Sequence, residues 1–491
     1  MKNYRMVVLS VLSYLVIFIG LSGCAVGPNY VPPKMAVPDN WLNPGVESEN
    51  DTTSLAREKD NTADLITWWT MLDDPVLERL IRKAGDDNLE LREAYYRIIE
   101  SRAQKNYALG AYFPRIDARG SYSRSRESAN GTLYRTGLSP EDTDYYATSV
   151  DASWEIDLFG RIKRSIESAD ASLGASQEMY NDSMVSLFAE IASTYVTVRT
   201  LQERIKYAQE NIESQNETLK LTQARFKAEL VPELDVEQAK LNLANTESAL
   251  SSLNKAEIQS LYRLAVLLGT VPSGLEKDLS EYAPIPDIST NIPHLLPVDI
   301  IRQRPDIRYA ERNLAMQTAR IGIAKADLYP KFTLNGSFGF EAVDRGDLLD
   351  VSSRAYSFTP RFDWNIFDGN RIRNNVKIEK ARTEQYRLEY EQAVLNAIEE
   401  VEISLAFLAQ EKIHFSTLKR ATEASKKSVE LVRTLYKSDL TDFQNVLDMQ
   451  RTLFVAQDNL ASSKGQIIQE WIRIYKAFGG GWSPEMRKDN F

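Results

Sequence analysis

The sequence predicts an α+β membrane protein built from two similar halves, each of which combines two β-strands with a very long helix. Three observations lead to this prediction. Similar segments recur 210 positions apart along the chain. Segments of strict apolar–polar alternation, which is typical of strands with one wet face, occur in both halves. Long stretches without proline follow these segments, as uninterrupted helices require.

Composition narrows the possible functions before any motif is considered. The 491 residues carry a formal net charge of −10, with 43% apolar and 26% charged residues. An acidic chain is poorly suited to nucleic acid, because phosphate binding needs clustered basic charge. A single Cys excludes an intrachain disulfide, and His294 and His414 lack metal-ligand spacing. Since nucleophile motifs and phosphate-binding glycine loops are also missing, the sequence predicts no enzyme, no metal and no cofactor.

The N-terminus has the pattern of a secretory signal. Two basic residues precede an apolar run, which leads through Leu21-Ser22-Gly23 into Cys24. A membrane-anchoring helix is disfavoured because a turn-forming Gly27-Pro28-Asn29 follows at once. We therefore predict a signal peptide over residues 1–23. The segment resembles a bacterial lipobox, which implies covalent lipid on Cys24 and, with Ala25 rather than Asp next, sorting to the outer membrane.

The two halves of the chain match each other at a fixed offset. Segments 154–161 and 364–371 both begin with Trp and end with Arg, 210 positions apart. The same offset relates further identical pairs without a gap: Glu190 and Glu400, Lys227 and Lys437, Leu230 and Leu440, Val236 and Val446, Gln259 and Gln469, Arg263 and Arg473, Gly269 and Gly479. Because this register is constant, we predict an internal duplication.

The duplication divides the chain into ordered regions. The predicted repeats span residues 88–269 and 306–479, and residues 24–87, 270–305 and 480–491 lie outside them. Each repeat is expected to contain a helix, a hairpin, a long helix and a return helix. The hairpins are predicted over 115–159 and 331–367, the long helices over 161–229 and 371–438, and the return helices over 233–268 and 443–478.

The predicted strands have one apolar and one polar face. Val150, Trp154 and Ile156 alternate with polar residues, and their partner strand is predicted over 115–127. In the second half the apolar face carries Tyr356, Phe358, Phe362, Trp364 and Ile366, and the partner strand covers 331–342. An apolar face rich in aromatic residues is typical of membrane barrels. A soluble antiparallel sheet over a core has the same alternation and stays an alternative.

Four strands are too few to close a barrel. Open sheet edges are not tolerated in lipid, so membrane-spanning strands of this chain would need partner chains. Two chains would give eight strands around a filled interior, and three would give twelve strands around a wider one.

The long helices carry apolar ladders at seven-residue spacing, which predict coiled-coil packing. At ~1.5 Å per residue each helix is about 100 Å long. The ladders are Ile191, Val198, Ile205, Ile212, Leu219, Phe226 and Val401, Leu408, Phe415, Thr422, Val429, Tyr436. On each long helix a second stripe lies three residues before the ladder positions and is polar from its third member onward. The polar members are Gln202, Gln209, Asn216, Gln223 and Lys412, Lys419, Lys426, Arg433. This second stripe is either an ordinary solvated face or one side of a tube wall that is wet on both sides, and the sequence leaves the direction of the basic stripe open.

Each long helix ends in a short acidic turn, and these two tips are the candidate functional site. Their residues are Glu229, Leu230 and Pro232 in the first turn and Asp439, Leu440, Thr441 and Asp442 in the second. Rings of such residues around a symmetry axis would concentrate negative charge and act as a selective gate. Alternatively, Asp442 serves as a helix cap and Pro232 occupies a first helical turn.

Several motifs resemble the lipoprotein outer-membrane factors of resistance-nodulation-division efflux pumps, in the TolC superfamily. They are residues 24–33, 304–307, 324–330 and 446–451, and the resemblance covers essentially the whole chain. It implies a homotrimer with a twelve-stranded outer-membrane barrel, continued by a periplasmic tunnel of twelve helices. Residues 24–87, 270–305 and 480–491 would form an equatorial belt. The tips would meet a periplasmic membrane-fusion adaptor, which binds an inner-membrane transporter.

The resemblance implies a passive exit duct for drugs or other small toxic molecules, anchored in outer-membrane lipid and extending into the periplasm. Type I protein secretion and metal-ion efflux through the same architecture are alternatives, and the lipobox favours small-molecule efflux. The tips depart from the family pattern: Glu229 and Asp439 stand where Gly is frequent, and Pro232 stands where Ser is common. The family's gating aspartates correspond to either Thr441 or Asp442.

Overall fold

The computed structural model describes residues 25–35, 37–42, 65–130, 141–274, 279, 281–288 and 297–483. The predicted signal peptide, Cys24 and His294 lie outside the described residues. The chain forms two compact units, each of which takes segments from both sequence repeats. Unit 1 comprises Met1–Lys34, Ile98–Ser176 and Ala310–Tyr390, and unit 2 comprises Met35–Arg97, Gln177–Tyr309 and Glu391–Phe491.

Helices and strands follow the predicted order in both halves. The helices are α1 (Pro75–Asp87), α2 (Leu89–Gly110), α3 (Arg161–Lys227), α4 (Glu233–Leu267), α5 (Pro297–Gln303), α6 (Pro305–Ala326), α7 (Arg371–Lys437) and α8 (Phe443–Ala477). The strands are β1 (Arg115–Arg126), β2 (Asp142–Ile156), β3 (Lys331–Ala342) and β4 (Arg354–Asp363). None of the helices in the described part of the chain has an apolar stretch sufficient to span a lipid bilayer.

The internal duplication is confirmed by the helix bounds. The long helices α3 and α7 both contain 67 residues, the return helices α4 and α8 both contain 35, and each pair begins 210 positions apart. The long helices end slightly before the predicted positions. They end there because Glu229 and Asp439, at φ values of 59° and 56°, have left-handed backbone that cannot continue a right-handed helix.

The four strands form one antiparallel sheet in the order β1-β2-β3-β4, so β1 and β4 are its edges. The expectation that the last strand continues to Ile366 is wrong. Asp363 pairs with Lys331, the first residue of β3, so no ladder partner is left for Trp364. The Trp364 indole Nε1 instead donates to the Leu328 carbonyl at 3.1 Å.

The sheet has one polar and one apolar face, and residues of both faces remain exposed in the described part of the chain. On the polar face, Asp151 accepts a hydrogen bond from Ser337 Oγ at 2.7 Å and pairs with Arg119 at 3.3 Å. Tyr356 on the apolar face is 84% exposed, and Phe358 is similarly uncovered. A soluble sheet over a core would bury this face, so the exposure among the described residues favours the membrane alternative.

The seven-residue ladders lie inside unit 2, as coiled-coil packing requires. Ile191, Val198, Val401 and Leu408 are buried, and Tyr436 is buried near the end of α7. Helix packing in unit 2 therefore follows the spacing that the sequence predicts, and it fixes the positions of the two tips.

Unit 2 also contains a cluster of charged side chains around Arg304. Its Nε and Nη2 atoms donate to the Asp306 carboxylate at 3.0 and 2.7 Å, and its Nη1 atom donates to Glu400 at 2.7 Å. Asp182 faces this cluster. Burial, and then the nearby Asp306 charge, raise the pKa of Asp182 to about 6, against the opposing effects of Arg304 and Lys476.

Replacing Asp182 with asparagine is expected to stabilise the folded protein at pH 8 by about 1–3 kcal/mol. A raised carboxyl pKa means that the folded state holds a proton that the unfolded state has lost. Asp182 therefore opposes folding increasingly as the pH rises from about 4 to 6, and fully above that range. Thermal unfolding of the variant at pH 8 and pH 4 measures this effect, which should vanish at pH 4. Asp448→Asn, at an exposed carboxylate, is the control, and a less stable Asp182→Asn protein at pH 8 would contradict the prediction.

Candidate functional site

Each long helix ends at its tip in the same hydrogen-bonded turn. The Leu230 N–H donates to the Arg225 carbonyl at 3.0 Å, and the Leu440 N–H donates to the Leu435 carbonyl at 3.0 Å. The left-handed residue between helix and leucine, usually Gly in such turns, is Glu229 in one tip and Asp439 in the other. Both turns therefore carry a carboxylate at a position that favours glycine, and both expose the leucine that follows.

The starts of the return helices differ from the expected capping. Pro232 is the N-cap residue of α4 rather than part of its first turn, which corrects the prediction. Asp442 is the N-cap residue of α8, but its side chain makes no capping hydrogen bond. Burial, together with the Asp442 charge, raises the pKa of Asp235. The two return helices thus begin with carboxylates that repel each other. In the second tip, Thr441 Oγ1 accepts a hydrogen bond from Asn445 Nδ2 at 2.9 Å.

Arg225 joins the two tips of the chain. Its Nη1 atom donates to the Tyr436 carbonyl at 2.5 Å, and its guanidinium lies 4.6 Å from the centroid of the Tyr436 ring. Arg225 also forms an ion pair with Asp439. The Arg225 side chain is largely buried whereas that of Asp439 is 73% exposed, so the contacts with Tyr436 carry most of the interaction. We call these contacts the Arg225 link.

An apolar cluster lies behind the Arg225 link. It comprises Ala239, Val432, Tyr436, Phe443, Val446 and Leu447. The Tyr436 and Phe443 rings pack with their centroids 5.4 Å apart. Tyr436 is therefore shared by the apolar cluster and the link, which couples the position of Arg225 to the packing of the two helical hairpins, α3–α4 and α7–α8.

A polar stripe along α3 continues from the link toward the start of the helix. Its members, spaced by seven residues, are Thr197, Arg204, Asn211, Thr218 and Arg225. Each bonds to the second repeat: Thr197 to Gln469 at 3.1 Å, Arg204 to Asp458 at 2.7 Å, Asn211 to Gln457 at 2.6 Å, and Thr218 to Gln450 at 2.9 Å. We call this set the polar seam. Sequence reasoning missed it, although the regular spacing of the stripe was a signal.

The basic stripe of α7 has members in different surroundings. Arg433 donates to Glu217 at 2.8 Å and to Ser214 at 3.3 Å, and the Arg433 contact lowers the pKa of Glu217. Lys412 is half-buried, and this burial lowers its pKa. Lys419 and Lys426 are exposed. The stripe is thus not a uniform solvated face, because Arg433 holds α7 against α3.

No group of three or more His, Cys, Asp or Glu side chains within the described residues is arranged to hold a metal ion. His414 is exposed, and its Nδ1 atom lies 3.3 Å from Glu411 Oε1. The tips therefore offer carboxylates, exposed leucines and a breakable cross-link. Exposed apolar and acidic side chains of this kind are suited to contact with another protein.

Comparison with known proteins places these features in a family. A family model described as outer membrane efflux protein matches residues 80–270 and 296–480, which nearly coincide with the two repeats. Nodulation protein T of Rhizobium leguminosarum bv. trifolii is 33% identical over 94% of this chain and 96% of its own length. The toluene efflux pump outer membrane protein TtgC of Pseudomonas putida is 28% identical over 98% and 97%.

Solved structures show the same fold. The outer-membrane channel OprN superimposes with a TM-score of 0.84 at 31% identity, covering 94% of this chain and 100% of the other. The open state of the Neisseria gonorrhoeae MtrE outer membrane channel gives a TM-score of 0.81 at 25% identity, covering 93% and 98%.

Proposed function

This chain belongs to the outer membrane efflux protein family, and on that premise we propose how its parts form a duct. It is an outer-membrane component of an efflux system and extends into the periplasm. We propose that three copies enclose one passage, and that small toxic organic molecules pass through it passively. Relatives that are named as outer membrane proteins of toluene, solvent and antibiotic efflux pumps support this class of cargo.

The observation that carries the proposal is the uncovered sheet. Its apolar face is exposed, and its edge strands β1 and β4 each have one unpaired edge within the chain. Lipid suits such a face but does not tolerate open edges. Joining β4 of one copy to β1 of the next removes every edge, and three copies provide twelve strands, enough for an open interior.

The duplication also indicates how the helices of different copies meet. Within one chain, α3 packs against α8, where a Cβ on Gly465 would come within 2.1 Å of Thr200 Oγ1. Ile472 lies seven residues after Gly465, on the same face of α8, and is buried. The position 210 residues earlier is Tyr262, on α4, and it is 47% exposed. Ile258 is exposed in the same way, whereas its counterpart Ile468 is buried.

The matching surface lies on α7. Ser193 and Thr197 of α3 contact Gln469 of α8. Their counterparts 210 positions later, Ile403 and Phe407, are apolar and exposed. We propose that the α7 strip, Ile403 and Phe407, packs on the α4 strip, Ile258 and Tyr262, of the next copy. Contacts within and between chains then alternate around a ring.

We propose that the tips form the periplasmic entrance. The Arg225 link holds the two helical hairpins of each chain together in a resting state. Carboxylates at Glu229, Asp439 and Asp442 line the entrance. Leu230 and Leu440 are exposed apolar residues on this surface. They are suited to contact a periplasmic adaptor, through which an inner-membrane transporter would deliver the cargo.

Covalent lipid on Cys24 completes the proposed assembly. Two or more acyl chains give stable anchoring, because each buried methylene contributes about 0.8 kcal/mol. The anchor would hold each copy at the outer membrane while the barrel strands of three copies meet.

The proposal predicts discrete ion-conducting steps when the purified protein is added to a planar lipid bilayer. In cells, deleting the gene should increase accumulation of a small toxic dye several-fold, and the wild-type gene should restore export. Unchanged accumulation together with lost secretion of a large protein would contradict small-molecule efflux. Absence of conductance from a correctly inserted trimer would contradict a channel altogether.

A further inference from the structure

The segment directly after Cys24 lies in a docking site at the start of α3. Arg164 Nε donates to the Val26 carbonyl at 3.2 Å, and Nη2 donates to the Gly27 carbonyl at 3.4 Å and to Asn29 Oδ1 at 2.8 Å. The remaining Nη1 atom bonds to Glu167 at 2.6 Å. The Arg164 side chain is only 5% exposed. We call this arrangement the Arg164 clamp.

Close backbone approach completes the docking site. A Cβ on Gly160 would lie 2.5 Å from Ala25 Cβ, and a Cβ on Gly27, which has a φ of 101°, would lie 2.5 Å from Gly322 Cα. The Val26 N–H donates to the Phe159 carbonyl at 3.1 Å. Glycine is therefore required at Gly27 and Gly160, both for space and for their positive φ values.

A second contact fastens the end of the segment. The Tyr30 hydroxyl donates to Glu311 at 3.1 Å, and burial, followed by the Glu311 charge, raises the pKa of Tyr30. The five residues 26–30 are thus held by Arg164 and, at their end, by Glu311.

Arg164 depends on the docked segment for most of its hydrogen-bond acceptors, just as the segment depends on Arg164 for its position. A buried guanidinium without acceptors is strongly unfavourable, because its N–H groups lose water without gaining partners. Of its acceptors, only Glu167 belongs to α3; the others belong to the N-terminal segment. Arg164 would therefore be left largely unpaired if the segment were undocked.

We infer that the Arg164 clamp fixes where the lipid anchor enters the membrane, an inference that rests on the proposed acylation of Cys24. Ala25 lies beside Gly160, four residues after strand β2 ends at Ile156, so an acyl group on the preceding residue would be attached one peptide bond from this point. The anchor and the strands then act on the same patch of membrane. A flexible leash of this length would also keep the strands near the bilayer, but the docked segment in addition fixes their position relative to the anchor. Arg164 is thus a positioning residue for membrane assembly.

Two variants test this inference in the full-length chain. Arg164→Ala removes the clamp, and Gly27→Ala blocks docking from the segment side while Arg164 stays in place. Lys163→Ala, at an exposed basic residue one position earlier, is the matched control. A nitroxide on Pro28→Cys reports the mobility of the segment, since Pro28 is exposed between the clamped residues Gly27 and Asn29 and Cys24 would be consumed by lipid. Labelled palmitate measures acylation, and pulse-chase measures how fast SDS-resistant trimers form.

Both test variants should incorporate palmitate at the wild-type level but show a mobile nitroxide, with motion in the nanosecond range. Their trimers should form at least about threefold more slowly than those of wild type or Lys163→Ala. An immobile nitroxide, or wild-type assembly rates in both variants, would overturn the inference. If wild-type protein takes up no palmitate, the proposed acylation fails, and so does the anchoring role of the clamp. A trimer that assembles normally but does not conduct would instead refute the proposed duct.

Discussion

Replacing Phe407 with aspartate is expected to abolish the trimer while the helices of each chain stay intact. Phe407 is 52% exposed in the single chain and belongs to the α7 strip that we place against α4 of the next copy. Burying a Phe contributes about 1.5–3 kcal/mol, and burying an unpaired carboxylate costs more. The loss recurs at three interfaces, so it totals at least about 5 kcal/mol, or more than a thousandfold in the assembly constant. Native mass spectrometry in detergent measures the oligomer, and circular dichroism measures the helix content.

Ile413→Asp is the matched control for this prediction. Ile413 is exposed on the same helix but lies off the α7 strip, so its variant should stay trimeric. Adding Tyr262→Lys to Phe407→Asp should restore part of the trimer, because the new charges would face each other across two chains. A trimeric Phe407→Asp protein would mean that the α7 strip faces elsewhere.

The strands and the duplication were predictable from the sequence because their signals are local. Alternation along β3 and β4 assigns Phe338 and Phe358 to one face and Ser337 to the other, and strand pairing only aligns these faces. Apolar residues seven positions apart, such as Ile191 and Val198, lie two turns apart on one face of a helix, so their spacing alone predicts that this face is buried. The fixed offset of 210 positions shows which residues of the two halves correspond, and this needs no knowledge of the fold.

The functional contacts were not predictable, because each joins residues far apart in sequence. Arg204 and Asp458 are separated by 254 positions, and although the seven-residue spacing marks the stripe that contains Arg204, nothing local identifies Asp458 as its partner. Likewise, the capping interpretation of Asp442 was reasonable from its position, yet its side chain makes no capping bond. Arg164 gave no sequence signal at all, since two of its four acceptors are backbone carbonyls and a third, Asn29, lies 135 positions away.

Replacing Arg225 with alanine is expected to open the tips and to raise the conductance of the resting duct. The change removes the bond to the Tyr436 carbonyl, the ring contact and the ion pair with Asp439. A hydrogen bond from a charged donor contributes about 1.5–3 kcal/mol, so the ratio of open to closed tips should rise about tenfold to a hundredfold per chain. Single-channel recording measures the open fraction, and cells should become more sensitive to a large antibiotic that the outer membrane normally excludes.

Comparing how far three variants open the tips distinguishes loss of the Arg225 link from a general change in charge. Asp439→Asn keeps a side chain that tolerates left-handed backbone and removes only the exposed partner, so it should open the tips less than Arg225→Ala does. Lys227→Ala removes an exposed cation two residues after Arg225 and should leave the conductance unchanged. Equal opening in all three variants would show that overall charge, rather than the grip of Arg225 on Tyr436, keeps the resting tips closed. If the Arg225→Ala protein stays closed, the remaining contacts of the polar seam along α3 must hold the helical hairpins together. Gating would then have to begin farther from the tips.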